Sequence, residues 1–352
     1  MPMDFPSSPT VGQQYNGYVW DGTAWDSTSA QPISLSTTAP GYNYIINGGM
    51  DIAQRGTTTV TSNDLYGALD RWRSRTVAVG GSVTTTQVAS GLTGIQNAMR
   101  FQRVAGNTNT SGLQAVYTSE TIMSTPLAGK TITLSFYARK GANFSPSASN
   151  ISAIIGYGTG TDQYWGSFTG FTQALNQSTV LTTSWQRFNY TATFPTTMTQ
   201  FYVMFDMSPT GTAGANDYFE LTGVQLEEGA AATAFRRNAP SIQGELAACQ
   251  RYYQRFTLGP IGQGSYYNTT QVMAYVAFQT KMRTSVSTTI DASTLVARHF
   301  SGGTVGLNSI AVEASDTGVL VFGTAASGTR TANDAVTLYI GSSGYLGLSA
   351  EL

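Results

Sequence analysis

Thr131-Ile-Thr-Leu-Ser-Phe-Tyr-Ala-Arg139 is the stretch that decides the fold class. Ile132, Leu134, Phe136 and Ala138 fall on one side of an extended chain. Thr131, Thr133, Ser135, Tyr137 and Arg139 fall on the other. Side chains of a strand alternate with period two, so the pattern reads as a strand with one buried face. The alternation recurs outward from there. Phe188, Tyr190, Ala192 and Phe194 repeat it up to Pro195, and Phe201, Val203, Phe205 and Met207 repeat it up to Pro209. Phe219 and Leu221 share one parity and Val224 and Leu226 the other, with Gly223 at the switch, which predicts a β-bulge. Short alternating strands between Gly-rich turns imply an all-β chain built as a jelly-roll β-sandwich.

Composition agrees with that class. Charged residues make up 11% of the 352 residues and the net charge is −1, against ~25% charged in an ordinary globular chain. Clustered Lys and Arg, which nucleic acids and anionic lipids require, are absent from such a balance, so no nucleic-acid partner is expected. No window approaches the ~18 apolar residues of a spanning helix, so no membrane insertion is expected. Polar mass comes instead from Ser, Thr, Asn and Gln, with 38 glycines for turns. Cys249 is the one cysteine, which excludes an intramolecular disulfide and a multi-thiolate zinc site. The start, Met1-Pro-Met-Asp-Phe-Pro6, has neither the basic nor the apolar part of a signal peptide, so synthesis in the cytoplasm is expected.

Four segments follow. Residues 1–40 read as a small separate unit in which Tyr18 and Trp20 lie on one side of a strand, Asp21-Gly22 turns, and Trp25 returns on a second strand. A lone hairpin is marginal in water, so this one is expected to pack on a partner, on copies of itself or on the next domain. Residues 27–40, rich in Ser, Thr and Pro, read as a linker. Residues 41–240 form the main sandwich. They open with Tyr42-Asn-Tyr-Ile-Ile-Asn-Gly-Gly-Met-Asp-Ile-Ala-Gln-Arg-Gly56 and Tyr66-Gly-Ala-Leu-Asp-Arg-Trp-Arg73. Here Tyr44–Ile46 is read as a strand, Trp72 as a core anchor, and Asp70 as a partner for Arg71 or Arg73. Residues 241–256 read as a connector helix capped by Ser241, with Ile242, Leu246, Cys249 and Tyr253 on its buried face. Residues 257–352, with alternation at Val272, Ala274, Val276 and Phe278 and again at Val336, Leu338 and Ile340, read as a second, C-terminal β domain.

Asn47, Gly48, Gln54, Arg55, Gly56, Asp70, Arg71 and Trp72 resemble the opening of a module common in bacteriophage tail fibre and related virion proteins. "ITLSFYARKGA" and "LTGVQLEEGAAATAF" resemble the middle and final strands of carbohydrate-binding-module-like sandwiches, through Leu226, Glu227, Gly229, Ala232, Thr233 and Phe235. The N-terminal hairpin and "ELAACQRYYQRF" resemble segments of phage fibre proteins too. The resemblance implies a virion component, a homotrimeric tail fibre, that attaches to other virion proteins through Tyr18, Trp20 and Trp25 and touches a host surface glycan. A head or neck decoration fibre and a polysaccharide-degrading tail enzyme are the alternatives.

No residue pattern adds a reaction, and neither a cofactor nor a metal is expected. His299 is the one histidine, and no Gly-x-Ser-x-Gly elbow accompanies it. Glu227 and Glu228 are adjacent, so a strand points them to opposite faces, which does not suit a pair of acting carboxyl groups. Asn216, Asp217 and Glu220 are too few oxygens for calcium. Gly156-Tyr-Gly-Thr-Gly160 lacks the strand–helix context and the Lys of a phosphate loop. Sugar binding would use exposed rings beside amides. Tyr157, Tyr164 and Trp165 near Asp162 and Gln163 form one such set, and Tyr266 and Tyr267 beside Asn268 form another. The same rings equally suit a core or a subunit interface.

Overall fold

Thr131–Lys140 is a strand, and Ile132, Leu134, Phe136 and Ala138 point from it into the main core. In the computed structural model it lies second in a six-stranded antiparallel sheet, here called the back sheet. The order is Gln186–Thr193, Thr131–Lys140, Tyr218–Glu228, Ile95–Arg103, Val83–Leu92, Thr58–Val60. A second six-stranded sheet, the front sheet, runs Thr172–Val180, Asn150–Gly158, Gln200–Met207, Leu113–Thr118, Trp72–Thr76, Asn63–Tyr66. Phe201, Val203, Phe205 and Met207 meet Phe136 and its neighbours between the sheets. The protein is thus an all-β jelly-roll sandwich. The bulge is where parity placed it: the register between Thr131–Lys140 and Tyr218–Glu228 slips at Gly223, which has φ +58°.

The structure describes residues 6–15, 18–20, 22–27, 41–61, 63–290, 295–299, 303–315, 317–326, 331–341 and 344–352. They fall in two compact units, Met1–Pro40 and Gly41–Leu352. In the first, Gln14–Tyr15, Tyr18–Trp20 and Trp25–Ser27 form a three-stranded sheet, one strand more than the hairpin expected. Trp20 pairs across from Trp25 with ring centroids 5.7 Å apart, and Tyr15 lies 6.3 Å from Trp25. Asp21 of the expected turn, and the linker after Ser27, lie outside the described residues.

Within the second unit the chain continues past the sandwich. Ser241 caps a helix, Ile242–Gln250, by accepting a hydrogen bond from the Gly244 amide at 3.1 Å. This helix is shorter than the 241–256 read from the sequence, and Ile242 is 43% exposed on it. Tyr252 drops into the main core, and Tyr253–Phe256 pairs as a strand with Leu346–Ser349, which also pairs with Ser287–Ile290. Aromatic residues favour that pleated pairing over another helical turn. Gly259–Tyr266, Gln271–Ala277, Gly318–Ala325, Thr304–Ala314, Leu295–His299 and Ala335–Ile340 close a six-stranded barrel. Val272, Ala274, Val276, Leu338 and Ile340 fill its interior.

The opening motif is the joint between these parts. Tyr44–Ile46 is buried but irregular, not a strand; its backbone is tied by Tyr44 N to Leu226 O at 2.9 Å. Asn47 sits at φ +59° and its side chain bonds Ile52 N, Ile52 O and Asp70 O. Gly48 passes so close to the bulged strand that a Cβ would stand 2.0 Å from Val224 O. Asp70 pairs with neither Arg71 nor Arg73. It accepts from the Gln54 amide and side chain and lies 3.9 Å from Arg55. Arg71, fully buried, instead pairs with Glu351, donates to Thr118 O at 2.6 Å, and stacks 3.5 Å over the Tyr252 ring. Arg73 pairs with Asp64 at 2.6 Å.

Two outcomes follow from this joint. Arg71→Met removes one of the two guanidinium partners of Glu351 together with the bond to Thr118 O, and is expected to destabilise the chain by about 3–5 kcal/mol in guanidinium unfolding. Burial raises the Asp70 carboxyl to about 6, against opposition from Arg55 and the Gln54 hydrogen bonds. The folded chain therefore holds this proton more tightly than the unfolded chain. Its stabilising contribution is complete below about pH 4 and is lost as pH rises through about 6. The stability of the natural chain relative to Asp70→Asn is expected to grow by roughly 2 kcal/mol between pH 7.5 and pH 4.

Candidate functional site

Since Phe201, Val203, Phe205 and Met207 point inward, Tyr202, Met204 and Asp206 must face out of the front sheet. The register aligns one polar row across five strands: Arg75 opposite Gln114, Gln114 opposite Asp206, Asp206 opposite Ser152, and Ser152 opposite Ser178. Arg75 Nη1 donates to Gln114 Oε1 at 2.7 Å, and Gln114 Nε2 donates to Asp206 Oδ2 at 3.3 Å. Asp206 Oδ1 is buried and receives no hydrogen bond from the chain. Burial holds the Asp206 carboxyl above the usual range, opposed by the Gln114 bond and the Arg75 charge. A buried acceptor without a donor costs about 1–3 kcal/mol, which a hydroxyl or a water at that oxygen offsets.

The next row, Val116, Met204 and Ile154, is apolar and is roofed by the 159–171 loop. Trp165 and Phe168 descend from the loop onto it. The roof is pinned at its far edge. Trp165 Nε1 donates to Asp64 Oδ2 at 3.0 Å, and the Tyr164 hydroxyl donates to the same oxygen. Burial and the Asp64 charge push the Tyr164 hydroxyl up to about 12. Arg75 lies 5.1 Å over the Trp165 ring and so links roof and polar row. On the other side Phe171 stacks on Tyr202 (5.5 Å, 15°) and remains 46% exposed. This packing depends on Gly156, where a Cβ would stand 2.1 Å from the Tyr202 ring. One face of the front sheet thus carries a row of hydrogen-bonding groups through Asp206 and, four residues along the same strand at Tyr202, the open ring of Phe171.

The rings singled out from sequence do not converge. Tyr157 is half-buried against the main core, edge-on to Phe194 at 6.0 Å, on the inward parity of its strand. Tyr164 and Trp165 do come together, but Trp165 is buried, and its faces are spent on Tyr202 and Arg75. It braces the roof and cannot serve as the exposed ring expected. Tyr266 is likewise fully buried, because its parity turns it into the barrel, where it stacks on His299 at 5.4 Å. Its neighbour Tyr267 points the opposite way and is 66% exposed. Tyr18, Trp20 and Trp25 are half-buried in their own small sheet. Arg75, Gln114, Ser152, Asp206 and Phe171 were not singled out; the parity of Phe201–Met207 already turned Asp206 outward.

The acids considered for chemistry serve the fold. Glu227 is buried and accepts from the Thr233 amide (2.8 Å) and hydroxyl (2.7 Å), whereas Glu228 pairs with exposed Lys130 at 3.1 Å. Asp217 holds Ser145 and Arg103, and Glu220 holds Arg100 and Arg139. Among the described residues no three His, Cys, Asp or Glu side chains gather as metal ligands.

No family model matches the chain, and no curated protein matches it. Among solved structures, one described as "CBM4 structure and function" is 18% identical, with a TM-score of 0.32 over 52% of this chain and 98% of that chain. The CBM22-1 xylan-binding domain from Paenibacillus barcinonensis Xyn10C is 10% identical, with a TM-score of 0.32 over 55% and 99% of the two chains. The enzymatically active domain of bacteriophage CBA120 tailspike protein 4 is 12% identical, with a TM-score of 0.34 over 54% of this chain and 22% of that chain.

Gly156→Ala is expected to drive Tyr202 and Phe171 off the sheet. Unfolding measurements should show a loss of about 1–3 kcal/mol, and Trp165 fluorescence should move to longer wavelength.

Proposed function

We propose that the protein is a non-catalytic, saccharide-binding component of a bacteriophage fibre, assembled as a trimer and attached through its N-terminal aromatic sheet. The observation that carries the binding assignment is the outward polar row Arg75, Gln114, Asp206 and Ser152, on the same sheet face as the exposed Phe171 ring, which stacks on Tyr202 four residues along the strand from Asp206. A sugar presents both things this face lacks. Its hydroxyl groups donate to a carboxylate and bridge to Gln114, Arg75 and Ser152, and its C–H face lies flat on an aromatic ring. The uncharged character of the chain suits a neutral ligand of that kind. The virion role is supported by the opening motif at Asn47–Trp72, whose residues act here as the structural joint described above.

The test is binding of the full chain to host surface polysaccharide and to neutral oligosaccharides, by glycan array and calorimetry. Asp206→Ala and Phe171→Ala are each expected to weaken binding ~10-fold or more, with circular dichroism showing that both variants remain folded at the temperature of the assay. The purified chain should also block phage adsorption without producing new reducing ends. Binding unaffected by both substitutions removes the front sheet as the site. Saccharide binding without any block of adsorption places the fibre at the head or neck, and new reducing ends make it an enzyme.

A further inference from the structure

A second recess lies where the edge of the sandwich meets the C-terminal three-stranded sheet. Its volume is about 450 Å³, within the range of small-ligand pockets. Arg55 and Tyr66 line it from the sandwich, and Tyr253, Arg255 and Tyr345 from the C-terminal part. None of these residues belongs to the polar row of the front sheet.

The two arginines are in different states. Arg55 faces two carboxylates: it shares Glu351 with Arg71, at 3.1 Å, lies 3.9 Å from Asp70, and stacks 3.6 Å over Tyr253. Arg255 rests 4.3 Å over the Tyr345 ring, and Nη1 donates to Gln54 O at 2.7 Å. Among the described residues it has no carboxylate within ion-pair distance and no second hydrogen bond. A guanidinium offers five N–H donors in a planar fork suited to a carboxylate, and this one uses a single donor on the protein. Its half-buried setting makes an incoming anion worth more there than at an open surface. Around it stand tyrosine rings and the exposed hydroxyl groups of Ser287 and Thr289. This chemistry matches a sugar ring that carries an acid.

We infer that this recess is a second binding site, specific for a carboxylate-bearing saccharide of the uronate or sialate type. Arg255 takes the carboxylate, Tyr345 lies against the ring, and Ser287 and Thr289 meet its hydroxyl groups, while Tyr66, with Arg55 and Arg73 over its ring, forms a wall. Arg55, which already faces two carboxylates, holds the Tyr253 wall in place and does not supply the charge.

The experiment is calorimetric titration of the full chain with trigalacturonate, a glucuronate oligosaccharide and sialyllactose. Galactotriose and sodium sulfate are run beside them at two salt concentrations. At least one acidic saccharide is expected to bind, more weakly at high salt, and ~10-fold or more weakly in Arg255→Gln. Arg255→Lys should retain part of the affinity and Tyr345→Ala should lose most of it. Asp206→Ala should leave it unchanged, so failure at the front sheet and failure here are read separately. Unfolding midpoints of the variants identify any that misfold, and Tyr345→Phe, which keeps the ring, then stands in and should bind as the natural chain does. Three results overturn the inference: no acidic saccharide binds; galactotriose binds as well as its acidic counterpart; or sulfate alone competes at equal affinity, which makes the recess a bare anion site.

Discussion

Arg71 is the constraint on which the rest of this structure depends. A fully buried guanidinium is costly unless its charge is met inside the protein. Here the charge is met by Glu351, one donor by Thr118 O, and one face by the Tyr252 ring. These three partners come from the C-terminal segment, from the middle of the front sheet and from just beyond the connector helix. Satisfying one side chain therefore fixes three separate parts of the chain. Gln54 adds to the same joint by bonding both Asp70 and Tyr253 O. The two β parts are held by buried polar groups, which specify geometry more sharply than an apolar seam would.

That joint also arranges the surfaces on which ligands would act. Arg71 stands just before the strand Trp72–Thr76, and Arg73 and Arg75 lie at alternate positions along it: the first is consumed by the joint, the second pins the loop wall through Asp64, and the third starts the polar row. The recess beside Arg255 exists because the joint brings the C-terminal sheet up against Tyr66 and Arg55.

Much of the fold was legible because period-two alternation is a local property. The inward faces of Thr131–Arg139 and Phe201–Met207, the bulge at Gly223 and the cap at Ser241 each depend on a few neighbouring residues. The helix end was not legible, since what stops it is a pairing between Tyr253–Phe256 and Leu346–Ser349, far along the chain. The partner of Arg71 is 280 residues away, so proximity in sequence pointed to Asp70 instead. Whether a ring is open or covered was not legible for a related reason. Aromatic residues in a Gly-rich loop look alike whether the loop stands free or folds back, and only the packing on Tyr202 tells that Trp165 is covered and Phe171 is open. The polar row needed strand order as well as parity, because its members come from five strands.

The Arg71–Glu351 pair has a consequence for synthesis. A ribosome that has delivered the whole sandwich has not yet released the acid that neutralises its central cation. The buried setting of Arg71 is therefore complete only once a residue 280 positions further along has been made.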